Sequence, residues 1–177
     1  MNKKRNIIFG IGLRYLLLVI FGILNVGFFY LIFTPLTIYP VYFFLKFFFN
    51  ALLVDNIILI NKIPIEIIGA CVAGAAYYLL LILNLATPKI KLARRIEMLF
   101  FSFALLLFVN ILRIFSLSIL FVSGVSFFDL AHKLFWYVGS IVFVVGIWFL
   151  SVKLFKVKEI PFYSDIKYLF NLRKAKK

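Results

Sequence analysis

The fold class predicted for this chain is an all-α polytopic membrane protein built as a single unit, on three observations. First, 66% of the residues are hydrophobic, against about half in soluble domains, so the excess needs a second apolar solvent. Second, several apolar windows of roughly 20 residues are long enough to cross a hydrocarbon core of about 30 Å. Third, the twenty Lys and Arg, which give a formal charge of +14, fall mainly between those windows, where topology signals belong. They form no basic aromatic face, so nucleic acid is excluded as a partner. One cysteine in 177 residues excludes an intramolecular disulfide and a CxxC zinc site.

The chain begins "MNKKRNIIFG", as a signal peptide does. The apolar run continues well past about 15 residues without a small-residue cleavage site, so a retained first helix is expected. A first span is predicted over 15–33, rising about 28 Å. "TPLTIYP" then places Pro35 and Pro40 where they should break the helix. The run 41–54 is about 14 residues long and contains Lys46, a length that suits an interfacial or re-entrant helix. In "DNIILINKIPIEII", Asn61 and Lys62 lie between β-branched residues and Pro64 follows, which predicts a short extended hairpin at the surface. A second span is predicted over 67–86, ended by Thr87-Pro88. After the basic loop "PKIKLARR" comes a third over 96–122, then the polar break "SGVSFFDLAHK" and a fourth over 134–152. The rest, 153–177, is a basic tail.

Lys and Arg resist translocation and mark the cytoplasmic side. If 41–54 crossed, the amino terminus and "PKIKLARR" would face opposite sides. If it lies at the interface, sixteen of the twenty basic residues gather on one side, leaving Lys46, Lys62, Arg113 and Lys133 outside or within the membrane. The second threading is adopted, with four spans and both termini cytoplasmic in a multi-pass cell-membrane protein.

This threading brings three chemically distinct residues to one depth on the extracytoplasmic side. Cys71 lies at the outer end of the second span. Arg113 lies about 25 Å from the cytoplasmic start of the third, and His132 opens the fourth. A helix amino terminus or a cation lowers a thiol pKa, and Cys71 is expected to have at least the former. His132 could take the thiol proton and return it to a leaving amine. Arg113 could hold a thiolate, an oxyanion or a substrate carboxylate. Asn110, one turn before Arg113 on the same face, reads as a hydrogen-bonding brace. Asp129 reads as a helix cap or as an orienter of the imidazole. Glu66 is a cap-region anion or a substrate contact. Gly74 and its small neighbours let backbones approach closely, although such stripes also serve plain packing. Each polar residue has a bland reading too: a small buried hydrophobe for Cys71 and a snorkelling headgroup ligand for Arg113.

The stretches "ACVAGAAYYLL", "NILRIFSLSIL" and "DLAHKLFWYVGSIVF" resemble the three signature regions of the exosortase/archaeosortase family, membrane proteins related in chemistry to transpeptidases. The resemblance runs from about Glu66 to Phe149, and the small size is similar to the minimal archaeal forms called pacearchaeosortases. It implies an active site of Cys71, Arg113 and His132 at the extracytoplasmic face, with Asn110 as the motif asparagine. It also implies a cysteine peptidase or transpeptidase whose partner is the carboxy-terminal sorting-signal helix of secreted proteins. A membrane lipid is a possible acceptor, and no cofactor or metal is implied. Many members carry Cys-Ser/Thr-Gly, whereas here "CVAG" puts the glycine, Gly74, three residues after the cysteine. Two other classes are weighed: a non-enzymatic membrane module, either a transporter subunit or a lipid-binding assembly factor, and a metal-dependent intramembrane protease. The latter is disfavoured by one histidine and no HExxH.

Overall fold

A computed structural model describes residues 2–23 and 27–174. Helices α1 (Asn2–Ile23) and α2 (Gly27–Phe48) lead into strands β1 (Ala51–Val54), β2 (Ile57–Ile60) and β3 (Ile63–Glu66). A short helical turn α3 (Gly69–Val72) precedes α4 (Gly74–Leu85), followed by the long α5 (Leu92–Val122). Helix α6 (Phe128–Leu134), a π-helical turn (Phe135–Gly139) and α7 (Ser140–Leu154) follow, and α8 (Tyr163–Lys174) closes the described chain. Three helical stretches are long and apolar enough to cross a membrane: Gly27–Phe48, Leu92–Val122 and Phe128–Leu154. Ile8–Gly22 and Gly69–Leu85 are shorter apolar helices.

Side-chain pairs fix the helix directions. The Arg14 guanidinium donates to Leu85 O, and the Tyr78 hydroxyl donates to Leu18 O, so α1 runs antiparallel to α4. Phe33 stacks on Tyr77 at 3.6 Å and packs edge-on against Phe103. Phe44 and Phe48 reach Phe115, so α2 runs parallel to α5. Helices α1 and α2 therefore share one traverse of the bundle, from an end where Arg14 lies to the end where the sheet sits. α3–α4 returns, α5 goes out and α6–α7 comes back. Ser102 of α5 and Ser151, near the carboxy-terminal end of α7, share a buried 2.9 Å hydrogen bond.

Several boundaries differ from expectation. The expected span 15–33 straddles α1 and α2, and its residues 24–26 lie outside the described residues. Pro35 and Pro40 do not end a helix; both lie inside α2. Phe29, Phe33, Thr37, Val41 and Leu45 form a buried stripe at four-residue spacing through that stretch. The stripe is the packing face, with Pro35 exposed off it, and among apolar neighbours a helix is the only local way to keep most backbone groups bonded. The expected separate helix over 41–54 is thus the second half of α2 plus β1.

The expected hairpin is the second half of a three-stranded antiparallel meander, in the order β1-β2-β3. Ile60 pairs with Ile63 across the turn, where Asn61 and Lys62 both take positive φ (49° and 72°), as two-residue hairpin turns require. Ala51, Ile58 and Ile60 are buried on one sheet face, which packs the sheet onto the bundle. Span 67–86 is interrupted at Ala73, and span 134–152 is part of a longer helical run from Phe128.

At the opposite end the "tail" is partly structural. Asp165 of α8 is buried, and both of its carboxylate oxygens accept from Arg14 Nη2, each at 2.9 Å. The Phe162 N–H donates to Ala86 O at 3.2 Å. Buried Arg95 donates to the Asn84 and Thr87 carbonyls, which are acceptors left over at the carboxy-terminal end of α4.

A candidate active site at the sheet end

Cys71, Arg113 and His132 line one cavity of about 270 Å³ at the sheet end of the bundle. Its wall also includes Pro64 and Glu66 from the edge of the sheet, Ile68 just before α3, Ser118 and Phe121 of α5, and Phe128 and Trp136. The three expected residues come from three separate helices. None of them is fully buried.

The local chain at Cys71 explains how it is presented. Ala73 takes a left-handed conformation (φ 62°, ψ 37°) and separates the four-residue α3 from α4. A left-handed alanine is disfavoured by about 1–2 kcal/mol, so neighbouring interactions must hold the break. They do so through α5. Asn110 Nδ2 donates to the carbonyls of Cys71 (2.8 Å) and Val72 (3.4 Å), and an Arg113 terminal nitrogen donates to Cys71 O at 3.3 Å. Asn-x-x-Arg puts both donors on one helix face, and that face braces the backbone bearing the thiol. The expectation that Cys71 occupies a helix amino terminus is corrected here. It is the third residue of a single turn, and its own N–H donates to Ile68 O at 2.8 Å.

The other terminal nitrogen of Arg113 donates to Ser140 Oγ at 3.3 Å, while its buried Nε has no partner among the described residues. The π-helical turn lies between His132 and Ser140, and such turns recur at functional sites because they re-aim side chains within a helix. Here His132, Phe135 and Trp136 line the cavity while Ser140, in the first turn of α7, meets Arg113.

His132 is held by aromatic rings. Its imidazole stacks on Phe128 (5.6 Å between centroids, 7° between planes) and meets Trp136 edge-on at 6.0 Å. Asp129 is exposed in the first turn of α6 and is not among the cavity residues. Glu66 lines the cavity and accepts from Asn56 Nδ2 at 3.2 Å. Gly74 is buried at the start of α4. Among the described residues, no group of three or more His, Cys, Asp or Glu gathers as a metal site would require.

Sequence reasoning missed Ser140, the Phe128–Trp136 clamp and the strand edge. The signal for Ser140 was present: an arginine inside an apolar helix needs acceptors, and "GSIVF" offers one in an otherwise apolar run. Comparison of the chain with family models, curated proteins and solved structures finds no match.

Proposed function

We propose that the protein is a multi-pass membrane cysteine peptidase or transpeptidase that cleaves the carboxy-terminal sorting signal of secreted proteins at the sheet end of the bundle. The observation that carries the reading is the meeting of a thiol, a guanidinium and an imidazole from three helices in one cavity. In the reaction, Cys71 Sγ attacks the scissile carbonyl carbon and gives up its proton to His132. The C–N bond breaks, His132 passes the proton to the leaving amine, and an acyl-thioester remains. Water, or an acceptor hydroxyl or amine such as a lipid headgroup offers, then attacks the thioester and restores the thiol. The position of Arg113 in the cavity wall supports a role at the substrate: its fixed positive charge would stabilise a developing oxyanion.

The left-handed Ala73 adds support from the family resemblance. It stands two residues after the cysteine, where the Cys-Ser/Thr-Gly pattern has glycine, the residue best suited to positive φ. Segregated charge supports the sidedness. Arg14, Lys89, Arg95 and Asp165 share the end away from the cavity, and basic clusters favour the cytoplasm. The sheet end is then extracytoplasmic, and both termini are cytoplasmic.

The test co-expresses a secreted protein ending in a short motif, an apolar helix and a basic cluster. Wild-type protein is expected to shorten it, and Cys71→Ala and Cys71→Ser are expected to leave it full length. Unchanged processing in both variants overturns the peptidase reading. The second reading, a non-enzymatic membrane module, is favoured by the structural use of Arg113, which bonds Cys71 O and Ser140 Oγ. That outcome would leave it standing.

A further inference from the structure

We propose that the free edge of β3 captures the scissile segment of the substrate as an added strand and lays its main chain across the cavity toward Cys71. This deepens the peptidase reading and rests on it.

Ile60 and Ile63 close a two-residue hairpin, so they exchange ladder bonds, and in an antiparallel pair such bonded residues alternate with unbonded ones. Ile63 and Ile65 therefore point their main-chain groups at β2. The next odd residue continues the pattern, since the Ile67 N–H donates to Asn56 O at 2.9 Å. Pro64 and Glu66 then turn theirs the other way. β3 is an edge strand with no strand on its far side among the described residues, so the Pro64 C=O and the Glu66 N–H and C=O face outward. Proline belongs on such an edge because it has no N–H to lose.

These outward groups border the cavity. Pro64, Ile65, Glu66, Ile67 and Ile68 form one wall of the space that Cys71, Arg113 and His132 line from the other elements. An edge usually invites pairing and is blunted or covered; this one opens onto the reactive residues instead. The occupant that matches one outward donor flanked by two outward acceptors is an extended peptide main chain, complementary in partial charge at each group. Strand addition draws its affinity from main-chain bonds and its selectivity from alternate side chains. The wall is otherwise apolar apart from Glu66, Ser118 and the reactive residues, so alternate apolar side chains suit it. Arg113 then meets the carbonyl of the same peptide.

The single thiol makes the test direct, because alkylation at sulfur, mapped by peptide mass spectrometry apart from any at the His132 imidazole, reports on Cys71. Purified full-length protein in detergent is treated with either an acetyl-Val-Ala-Val chloromethyl ketone or iodoacetamide. In each case the Cys71 sulfur displaces halide from carbon and loses its proton, and mass spectrometry follows the rate. Both Glu66→Pro and Glu66→Ala remove the carboxylate that accepts from Asn56; of the main-chain groups Glu66→Pro removes only an outward N–H, leaving the ladder to β2 complete, and Glu66→Ala keeps that N–H. The peptidyl ketone is expected to label Glu66→Ala at close to the wild-type rate and Glu66→Pro about tenfold more slowly. Iodoacetamide is expected to label all three alike. Equal peptidyl rates in the two variants overturn the proposal. If Glu66→Pro also slows iodoacetamide, the decision passes to wild-type protein and depsipeptide forms of the ketone, each with one amide N–H replaced by ester oxygen. A tenfold loss at one position supports the added strand, and uniform rates overturn it. Failure here with Cys71-dependent processing intact removes only the strand site. The labelling pattern without processing removes only the peptidase.

Discussion

At the residue scale, Asn110 and Arg113 bond the thiol's own backbone. Asn110 is 3% exposed, so Asn110→Ala removes the amide donor from the Val72 carbonyl and leaves the Cys71 carbonyl with Arg113 alone among its side-chain donors, and is expected to destabilise the protein by about 1–3 kcal/mol. Thermal unfolding in detergent, followed by the fluorescence of Trp136 and Trp148, measures this. Arg113→Lys keeps the charge but cannot span Cys71 O and Ser140 Oγ together; processing of the sorting-tail substrate should fall at least about tenfold. The aromatic clamp separates two candidate orienters of His132. Phe128→Ala should reduce processing severalfold, whereas Asp129→Asn should leave it near wild type. A large loss in Asp129→Asn alone would restore the carboxylate as orienter. The candidacy of these residues was legible from their types, because a lone thiol, a lone imidazole and an arginine in an apolar helix stand out against a hydrophobic background. Their partners were not legible, since Ser140, Phe128 and the main-chain carbonyls are ordinary groups until the fold aims them.

At the element scale, the break at Ala73 lets Cys71 face the cavity on a turn separate from α4. Glycine loses more backbone entropy on folding, by roughly 0.5–1 kcal/mol, but is free of the left-handed penalty of about 1–2 kcal/mol. Ala73→Gly is therefore expected to be neutral or stabilising by up to about 1 kcal/mol, and Ala73→Val, with a branched Cβ, clearly destabilising. The same unfolding measurement ranks them; a valine variant as stable as wild type would contradict the assigned backbone. Helix periodicity could not reveal this break, because "GACVAGAAYYLL" has no residue that demands it. Conversely, Pro35 and Pro40 announced a break that does not occur, because their effect is local and the packed stripe from Phe29 to Leu45 outweighs it. The Asn61-Lys62 turn was readable, since two-residue hairpins have strict dihedral needs. β1 was hidden by the continuous apolar run before it.

At the scale of the whole molecule, the first and last helices are joined far from the cavity. Arg14 and Asp165 lie 151 residues apart in sequence and pin α8 to α1, with side-chain exposures of 16% and 4%. Removing one partner of a largely buried pair leaves the other charge uncompensated. Asp165→Asn should therefore loosen α8 and speed tryptic cleavage after Lys156 or Lys158 in detergent-solubilised protein. Arg14→Leu with Asp165→Leu should recover much of the protection. Charge distribution carries the expected threading, yet the same charges concealed this latch: one acid in a basic tail reads as solvated until burial shows otherwise.

The two arginines of α5 have a joint consequence. Arg95 grips the carbonyls at one end of the α3–α4 segment and Arg113 grips the carbonyl of Cys71 at the other, about 27 Å apart along a continuous helix. Together they act as a caliper, setting the height of the sulfur by the protein's own length. Thinner or thicker bilayers should then tilt the bundle while leaving the thiol at a constant distance from the opposite jaw.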